Sequence, residues 1–334
     1  MAENGTPEKL AVVLFNTGGP SSPADIRPFL FRFFMDRNII GVVAPLRCLI
    51  AAWTSWRRSC GASRKAYQAL GGKSPLLENT RAQASALEKL LKETNPETRV
   101  FVSMRYSPPL AEQTVREVAA FRPEKTVLLP LYPQYSTTTS HSSLQSWQHA
   151  EKKTSIDLRG VFMCCYPEDP GFIAASSDLI GEALAGAPEK IRVLFSAHGL
   201  PEKIIRKGDP YQRQCEQTVA AIVKHLNRPA LDWQLCYQSR VGRLKWTGPS
   251  VVEALEKAAG DGVGVVIYPV AFVSEHVETL VELDIDCRDR AKHLGVPYFA
   301  RVPTVGTHPN FIEGLRDIVL SCARGMKKKR WRHG

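Results

Sequence analysis

IRVLFSAHG, residues 191–199, is an apolar run that passes directly into a serine, an alanine, a histidine and a glycine. A short run of β-branched and aromatic residues that stops at glycine is typical of a strand buried on both faces of a parallel sheet. Side chains that directly follow such a strand lie at the carboxyl edge of the sheet, where open α/β folds build their binding sites. The run therefore predicts an α/β fold and places His198 at a functional edge.

Similar runs occur along the whole chain. They cover residues 10–15, 99–104 and 126–131 in the first half and residues 233–236 and 263–267 in the second. Amphipathic segments such as 76–93, 210–226 and 311–326 separate them and predict helices. Because strands that alternate with helices form parallel sheets covered by helices, we expect two similar doubly wound (Rossmann-like) lobes with an active-site cleft between them.

The expected boundary between the lobes is near Asp169-Pro170-Gly171, which gives lobes of residues 1–170 and 171–326 and a basic tail of residues 327–334. The net charge is +11, and five of the positive charges lie in the tail. A basic tail suits nucleic acid, anionic lipid or plain solvation, so its role stays open. An apolar content of 44% with 23% charged residues is that of a folded globular protein.

Residues 28–56 form an unusually apolar segment of the first lobe. Charged residues and Pro45 interrupt it, and no run reaches the roughly 20 apolar residues that a transmembrane helix needs. One interpretation is a buried pair of helices. The other is an exposed apolar lip that rests in a membrane interface or grips an apolar ligand, with arginines at headgroup level.

A second candidate for chemistry is the acidic segment SEHVETLVELDID, residues 274–286. It predicts a helix begun by Ser274, on which Glu278, Glu282 and Asp286 are spaced i, i+4 and i+8 and project to one side. A solvated acidic face is the ordinary explanation, as a structural role is for a lone histidine such as His198. However, no Lys or Arg is interleaved from residue 275 to 287, so a rail that attracts a divalent cation or conducts protons fits better.

Imidazole and carboxylate together suit Fe²⁺, Zn²⁺ or Co²⁺. Two such ligands would hold a metal loosely, as befits a site that passes its metal on. The chain contains neither G-x-x-x-x-G-K-[ST] nor G-x-G-x-x-G, which argues against nucleotide chemistry. Its eight cysteines include no C-x-x-C pair, and the short polar N-terminus resembles neither a secretion signal nor a transit peptide. We therefore expect a reducing, cytoplasmic setting.

Five blocks of the sequence together resemble the ferrochelatase family. They are LFNTGGP (residues 14–20), YPQYS (132–136), FSAHGLP (195–201), YQSRVG (237–242) and PVAFVSEHVETL (269–280). The blocks occur in the family's order, and the resemblance covers the chain from about Leu10 to Gly314. It is therefore specific.

The resemblance implies insertion of Fe²⁺ into a porphyrin in haem synthesis, with loss of two pyrrole protons. By position, His198 and Glu278 match the family's metal-binding and catalytic pair, and Glu282 and Asp286 match its acidic row. Residues around the porphyrin ring are matched by Arg105, Tyr106, Tyr132, Ser136, Trp246 and Thr17. Whether His198 takes the first proton or the metal stays open.

The long apolar segment resembles that of members that use protoporphyrin IX and take it from the membrane, so we expect peripheral contact with the cytoplasmic face of the inner membrane. Coproporphyrin III is the alternative substrate, and a porphyrin or haem carrier without catalysis is the alternative function. The resemblance implies no nucleic-acid partner and no cofactor beyond the iron substrate. Thr17 stands where some relatives carry methionine.

An animal-type [2Fe–2S] cluster is not expected. Its first cysteine would follow Ser136, where this chain has Thr137, and the further cysteines near the C-terminus are replaced by Cys322 alone. Other bacterial arrangements use different positions, which leaves Cys164, Cys165 and Cys322 as the residues to inspect.

Overall fold

A computed structural model describes residues 8–240 and 244–325 of the chain. Contacts divide this part of the chain into two compact units. The first comprises the residues up to 132, residues 137–166 and the segment from 312 onward, and the second comprises residues 133–136 and 167–311. The predicted basic tail, residues 327–334, lies outside the described residues.

The first unit is built on a parallel four-stranded sheet. Its strands are β1 (Leu10–Asn16), β2 (Thr98–Met104), β3 (Lys125–Pro130) and β4 (Val161–Phe162). Its helices are α1 (Ile26–Phe34), α2 (Ala44–Cys60), α3 (Ala62–Ala69), α4 (Leu76–Lys92), α5 (Ala111–Phe121) and α6 (Ser140–Thr154). The strand order is β2-β1-β3-β4. Every residue of the central strand β1 is buried, because helices cover both faces of such a sheet.

The second unit repeats this plan. Its strands are β5 (Ile191–His198), β6 (Asp232–Gln238), β7 (Gly264–Tyr268) and β8 (Phe299–Arg301), in the order β6-β5-β7-β8. Its helices are α7 (Pro170–Ala185), α8 (Glu202–Arg206), α9 (Tyr211–Leu226), α10 (Val251–Gly260), a π-helix (Glu278–Asp286) and α11 (Cys287–His293). In β5, only the last residue, His198, is not fully buried. Two parallel sheets with interleaved helices confirm the predicted α/β architecture.

The division of the chain differs in one respect from the expected lobes. The chain passes into the second unit at residue 167, close to the expected boundary at 170. The last helix, α12 (Pro309–Ala323), was expected to lie in the second lobe throughout, yet the chain from Ile312 onward groups with the first unit. The amphipathic spacing predicts that this helix buries one side, and Leu315 and Val319 on it are fully buried. The spacing alone does not show against which hydrophobic core that side packs.

The apolar segment 28–56 forms two helices with different surroundings. In α1, Ile26 and Leu30 are buried and the helix packs on α2. In α2, only Ala51 and Ser55 are buried. Six large apolar side chains of this segment are exposed, namely Val42, Val43, Leu46, Leu49, Trp53 and Trp56. The apolar surface of this segment is therefore exposed on α2 and at the two residues before it, and it is not buried between the two helices. Within residues 8–240 and 244–325, no helix is both long and apolar enough to cross a bilayer.

Candidate active site

His198 is the last residue of β5, directly opposite Gln238 in the β5–β6 register. Its backbone N–H donates to the hydroxyl of Tyr211, at 3.1 Å. The next residue, Gly199, approaches β6 so closely that a Cβ there would lie 2.8 Å from the carbonyl oxygen of Gln238. Glycine at 199 thus lets the chain turn sharply after the strand, and the turn leaves the imidazole as the first accessible side chain of β5.

The imidazole of His198 pairs with the carboxylate of Glu278. The His198 Nδ1 atom lies 2.9 Å from Glu278 Oε2, and about a third of each side chain is exposed. The same carboxylate oxygen lies 3.7 Å from Nε2 of His276. The ring of Phe272 packs against both imidazoles, with centroids 6.4 Å from His198 and 4.6 Å from His276. The sequence-predicted pair is therefore in direct contact beside an apolar wall.

The helix that carries Glu278 is a π-helix, and it begins later than expected. The predicted start at Ser274 is wrong, because the helix begins only at Glu278, with Val277 as its N-cap residue. Residues before it are held in an extended loop by the Glu275 carboxylate, which accepts hydrogen bonds from Arg301 at 2.8 Å and from the Thr304 N–H at 3.0 Å. The guanidinium of Arg301 also lies 3.4 Å from Asp284, inside the π-helix. π-Helical segments are rare in proteins, and they occur frequently at functional sites.

Glu282 lies one turn after Glu278 and is held by three donors. The N–H and the hydroxyl of Ser239 each donate at 2.6 Å, one to each carboxylate oxygen, and the amide of Gln238 donates at 3.3 Å. Asp286, at the end of the π-helix, is exposed. The structure thus brings His198, Glu278 and Glu282 together and leaves Asp286 at the solvent-facing end of the row.

The two central carboxylates have opposite pKa shifts. Burial alone would raise the pKa of Glu278, but His198 and His276 bring it well below its ordinary value. Burial and the charge of Glu278 raise the pKa of Glu282, against the hydrogen bonds from Ser239. Burial alone would lower the pKa of His198, but the negative charge of Glu278 and its hydrogen bond outweigh burial, so the pKa of His198 is raised. These neighbours therefore favour the anion of Glu278 and make Glu282 the carboxylate that protonates more readily.

Arg105 and Tyr106 belong to a polar cluster in the first unit, directly after β2. The buried carboxylate of Asp36 accepts from Arg105 Nη2 at 2.8 Å, from the Tyr106 hydroxyl at 2.9 Å and from the hydroxyl of Ser142. Arg105 also donates to Ser142, at 2.7 Å. Burial would raise the pKa of Asp36, but Arg105 and these hydrogen bonds hold it below its ordinary value. Asp36 is thus an ionised anchor that sets the direction of the Arg105 side chain.

The remaining predicted ring contacts differ in exposure. Tyr106 is only 1% exposed and packs edge-on against Phe29 and Phe33. Ser136 is also buried, and its hydroxyl donates to Asp209 at 3.0 Å.

Thr17, Tyr132 and Trp246 are half-buried. In the second unit, Trp246 pairs with Pro201 through an antiparallel bridge just after His198. Thr17 donates its N–H to Asn16 at 2.8 Å. Like Arg105, these three side chains therefore keep surface that is available to a ligand.

Four site residues were not assigned from the sequence: Asp36, Gln238, Ser239 and His276. The last three lie inside the quoted blocks YQSRVG and PVAFVSEHVETL. Their position in these blocks was the sequence feature that could have identified them. Asp36 lies in the apolar segment, where a lone carboxylate flanked by Met35 and Arg37 could have been recognised as a residue that needs a buried partner.

The three cysteines considered for a cluster, Cys164, Cys165 and Cys322, all lie in the first unit. The Sγ atoms of Cys164 and Cys165 are 2.9 Å apart, and Cys322 is buried on α12. In the described part of the chain, no group of three or more His, Cys, Asp or Glu residues is placed to hold a metal ion.

The chain is similar to known proteins both in sequence and in fold. Ferrochelatase from Caulobacter vibrioides is 50% identical over 316 residues, which cover 93% of this chain and 90% of that protein. Ferrochelatase from a Wolbachia of Drosophila simulans is 47% identical, covering 94% and 99%.

Among solved structures, the fold is similar to SirB from Bacillus subtilis with Fe³⁺, with a TM-score of 0.58, 13% identity and coverage of 94% and 96%. It is also similar to CbiX, described as the terminal enzyme for biosynthesis of sirohaem in denitrifying bacteria, with a TM-score of 0.51, 15% identity and coverage of 94% and 98%. The ferrochelatase family model matches residues 9–322. The chain belongs to the ferrochelatase family.

Proposed function

We propose that this protein inserts Fe²⁺ into protoporphyrin IX, forming protohaem and releasing the two pyrrole protons. The observation that carries the proposal is the contact between His198 Nδ1 and Glu278 Oε2, 2.9 Å long, at the carboxyl end of β5. An imidazole in contact with a carboxylate can accept a proton near neutral pH and can also receive a borderline divalent metal. These are the two tasks that porphyrin metallation requires.

The geometry suggests a division of labour among the three side chains. With Nδ1 of His198 directed at Glu278, the other ring nitrogen, Nε2, is the atom that would meet a pyrrole proton or the incoming metal. Glu278, whose pKa is low, stabilises the imidazolium that forms and can itself contact the metal. Glu282, whose pKa is raised, would take up the proton next. Asp286, exposed at the end of the row, would pass it to solvent or admit the metal.

For the porphyrin, we propose two kinds of contact. Trp246, Tyr132 and Thr17 are half-buried and would touch the ring, whose planar apolar faces suit such walls. Arg105 is directed by Asp36 and would bind an acidic substituent. Tyr106 and Ser136 are buried and would support the pocket from behind.

We further propose that α2 rests on the cytoplasmic face of the membrane, from which an apolar porphyrin is taken. Its exposed apolar side chains support this, and so does its charge. From residue 37 to residue 77 the chain contains seven Lys and Arg and no Asp or Glu. Anionic lipid attracts such a surface.

The eight cysteines are thiols, which suits a reducing compartment. We propose that activity needs no [2Fe–2S] cluster, which an absorption spectrum of protein purified without air would check.

The test is an anaerobic assay of the full-length protein with Fe²⁺ and protoporphyrin IX, followed by the loss of porphyrin fluorescence. Coproporphyrin III is run in parallel, and faster conversion of coproporphyrin III than of protoporphyrin IX would identify coproporphyrin III as the substrate. His198→Ala and Glu278→Gln should each lower kcat by about 100-fold or more, the usual contribution of a positioned acid or base. His293→Ala and Glu256→Gln, on exposed side chains, are the matched controls. Porphyrin binding without turnover by the wild-type protein would instead indicate a carrier.

A further inference from the structure

The serine of the FSAHGLP block, Ser196, has no role in the site as described so far. It lies in β5 two residues before His198 and is completely buried. Its hydroxyl donates to Oε1 of Gln238, at 2.8 Å. Gln238 is itself buried, at the end of β6. The hydroxyl of this buried serine therefore contacts an amide side chain that lies beside the site.

The other end of that amide faces the π-helix. Nε2 of Gln238 donates to the main-chain carbonyl of Glu278 at 3.1 Å and to the Glu282 carboxylate at 3.3 Å. If the amide were flipped, its oxygen would face these two acceptors, which would repel it, and its NH₂ group would face Ser196. The observed orientation of the amide is thus the one that satisfies Ser196, the Glu278 carbonyl and the Glu282 carboxylate together. Both the oxygen and the nitrogen of the amide form hydrogen bonds in it.

We propose that Gln238 is a positioning residue for metal insertion, oriented by Ser196, which fixes the π-helix so that Glu278 and Glu282 keep their places beside His198. It holds the main chain of one carboxylate residue and the side chain of the other. Because Glu282 is also held by Ser239, the next residue along the chain, the end of β6 binds the acidic row at several points. This inference rests on the proposed function, since it assigns a role in the same reaction.

A residue that acts on the placement of Glu278 and Glu282 should affect turnover more than ring binding. Gln238→Met keeps the length of the side chain and removes both donors. We expect kcat to fall about tenfold or more, the value of one hydrogen bond to a charged group, while KM for the porphyrin stays unchanged. Ser176→Ala is the matched control. Ser176 is an equally buried serine of the same unit that bonds to Tyr268 and not to the site, so kcat should be unchanged there.

The role of the Ser196 hydroxyl can be isolated with two variants of the same shape. Ser196→Thr and Ser196→Val add the same bulk, but only threonine keeps a donor for Gln238. We expect the threonine variant to exceed the valine variant in kcat by about tenfold in the wild-type background and to equal it in the Gln238→Met background.

Equal kcat for Ser196→Thr and Ser196→Val, with a folded and active wild-type protein, would overturn the inference and leave the proposed function intact. The inference would also be overturned if Gln238→Met changed KM for the porphyrin by the same factor as kcat, because a positioning residue should affect turnover and not ring binding. Absence of turnover in the wild-type protein would overturn the proposed function itself. Circular dichroism of each variant confirms that the fold is retained, and the two Ser196 variants carry the test if Gln238→Met fails to fold.

Discussion

The exposed apolar side of α2 should set how tightly the protein binds membranes. The sharpest perturbation is the double variant Leu49→Gln/Trp53→Gln, because Leu49 is 69% exposed and Trp53 58% exposed. Neither side chain contributes to the buried residues of α2, which are Ala51 and Ser55. The substitutions therefore remove apolar surface from the outside of the helix while leaving its packed side intact.

The size of the effect follows from these exposed fractions. Fully burying a side chain such as leucine stabilises by about 1.5–3 kcal/mol, so burying roughly two thirds of one in lipid contributes about 1–2 kcal/mol. Two such side chains contribute about 2–4 kcal/mol, and each 1.4 kcal/mol is a factor of ten. Partial immersion at the interface favours the lower end of this range. We expect the double variant to bind vesicles about 30-fold to 100-fold more weakly.

The assay is co-sedimentation with vesicles of phosphatidylcholine and phosphatidylglycerol at several salt concentrations. Salt should weaken binding of the wild-type protein and of the variant alike, because the positive charges of the segment are unchanged. Trp233→Gln and Val252→Gln are the controls, since these side chains are 42% and 43% exposed and lie in the second unit. Vesicle binding by the double variant as tight as that of the controls would refute the assignment of α2 to the membrane.

Two further predictions concern the site and its support. Gly199→Ala should lose activity and about 1–3 kcal/mol of unfolding free energy, because its Cβ would meet a backbone carbonyl oxygen. Gly181→Ala, where a Cβ meets nothing within 4 Å, should be neutral or stabilising in urea unfolding. Asp36→Asn should cost about 3 kcal/mol at pH 6, because Arg105 loses a buried partner. The pKa of Asp36 is lowered on folding, so its contribution exists above the ordinary value of 3.8 and disappears as pH falls through the folded-state pKa. Urea unfolding from pH 6 down to pH 3 should therefore show the two proteins converging, and a constant difference would contradict the ion pair.

The strand ends could be predicted from sequence because the pattern that specifies a buried parallel strand also specifies where it stops. For this reason His198 was placed correctly at the end of β5, and the fold class follows from the same runs. The late start and the π-helical form of residues 278–286 could not be predicted in this way. They are accompanied by contacts of Arg301, which reaches from β8 to Glu275 and Asp284. Such a contact is set by tertiary structure and leaves no period in the local sequence.

The assignments that came from matching a family's positions show a different limit. Position alone places Tyr106 with Trp246 in one set of ring contacts. The structure separates them, since Tyr106 is closed in by Phe29 and Phe33 whereas Trp246 keeps exposed surface. Similarly, Asp36 is only one of the charged residues that interrupt the apolar segment in the sequence, although its buried carboxylate orients Arg105. A matched position identifies a neighbourhood, and burial decides which side chain in it can meet a ligand.

The acidic row shows how one helix can carry two carboxylates whose pKa values are shifted in opposite directions. Glu278 and Glu282 are four residues apart and have the same ordinary pKa, but their neighbours differ. Two histidines stabilise the anion of Glu278, and that anion in turn makes ionisation of Glu282 harder. The charge that fixes the first carboxylate thus prepares the second to accept a proton. The proposed mechanism needs both carboxylates to be placed close to His198. A buried amide that holds one by its main chain and the other by its side chain meets that need without adding a charge to the site.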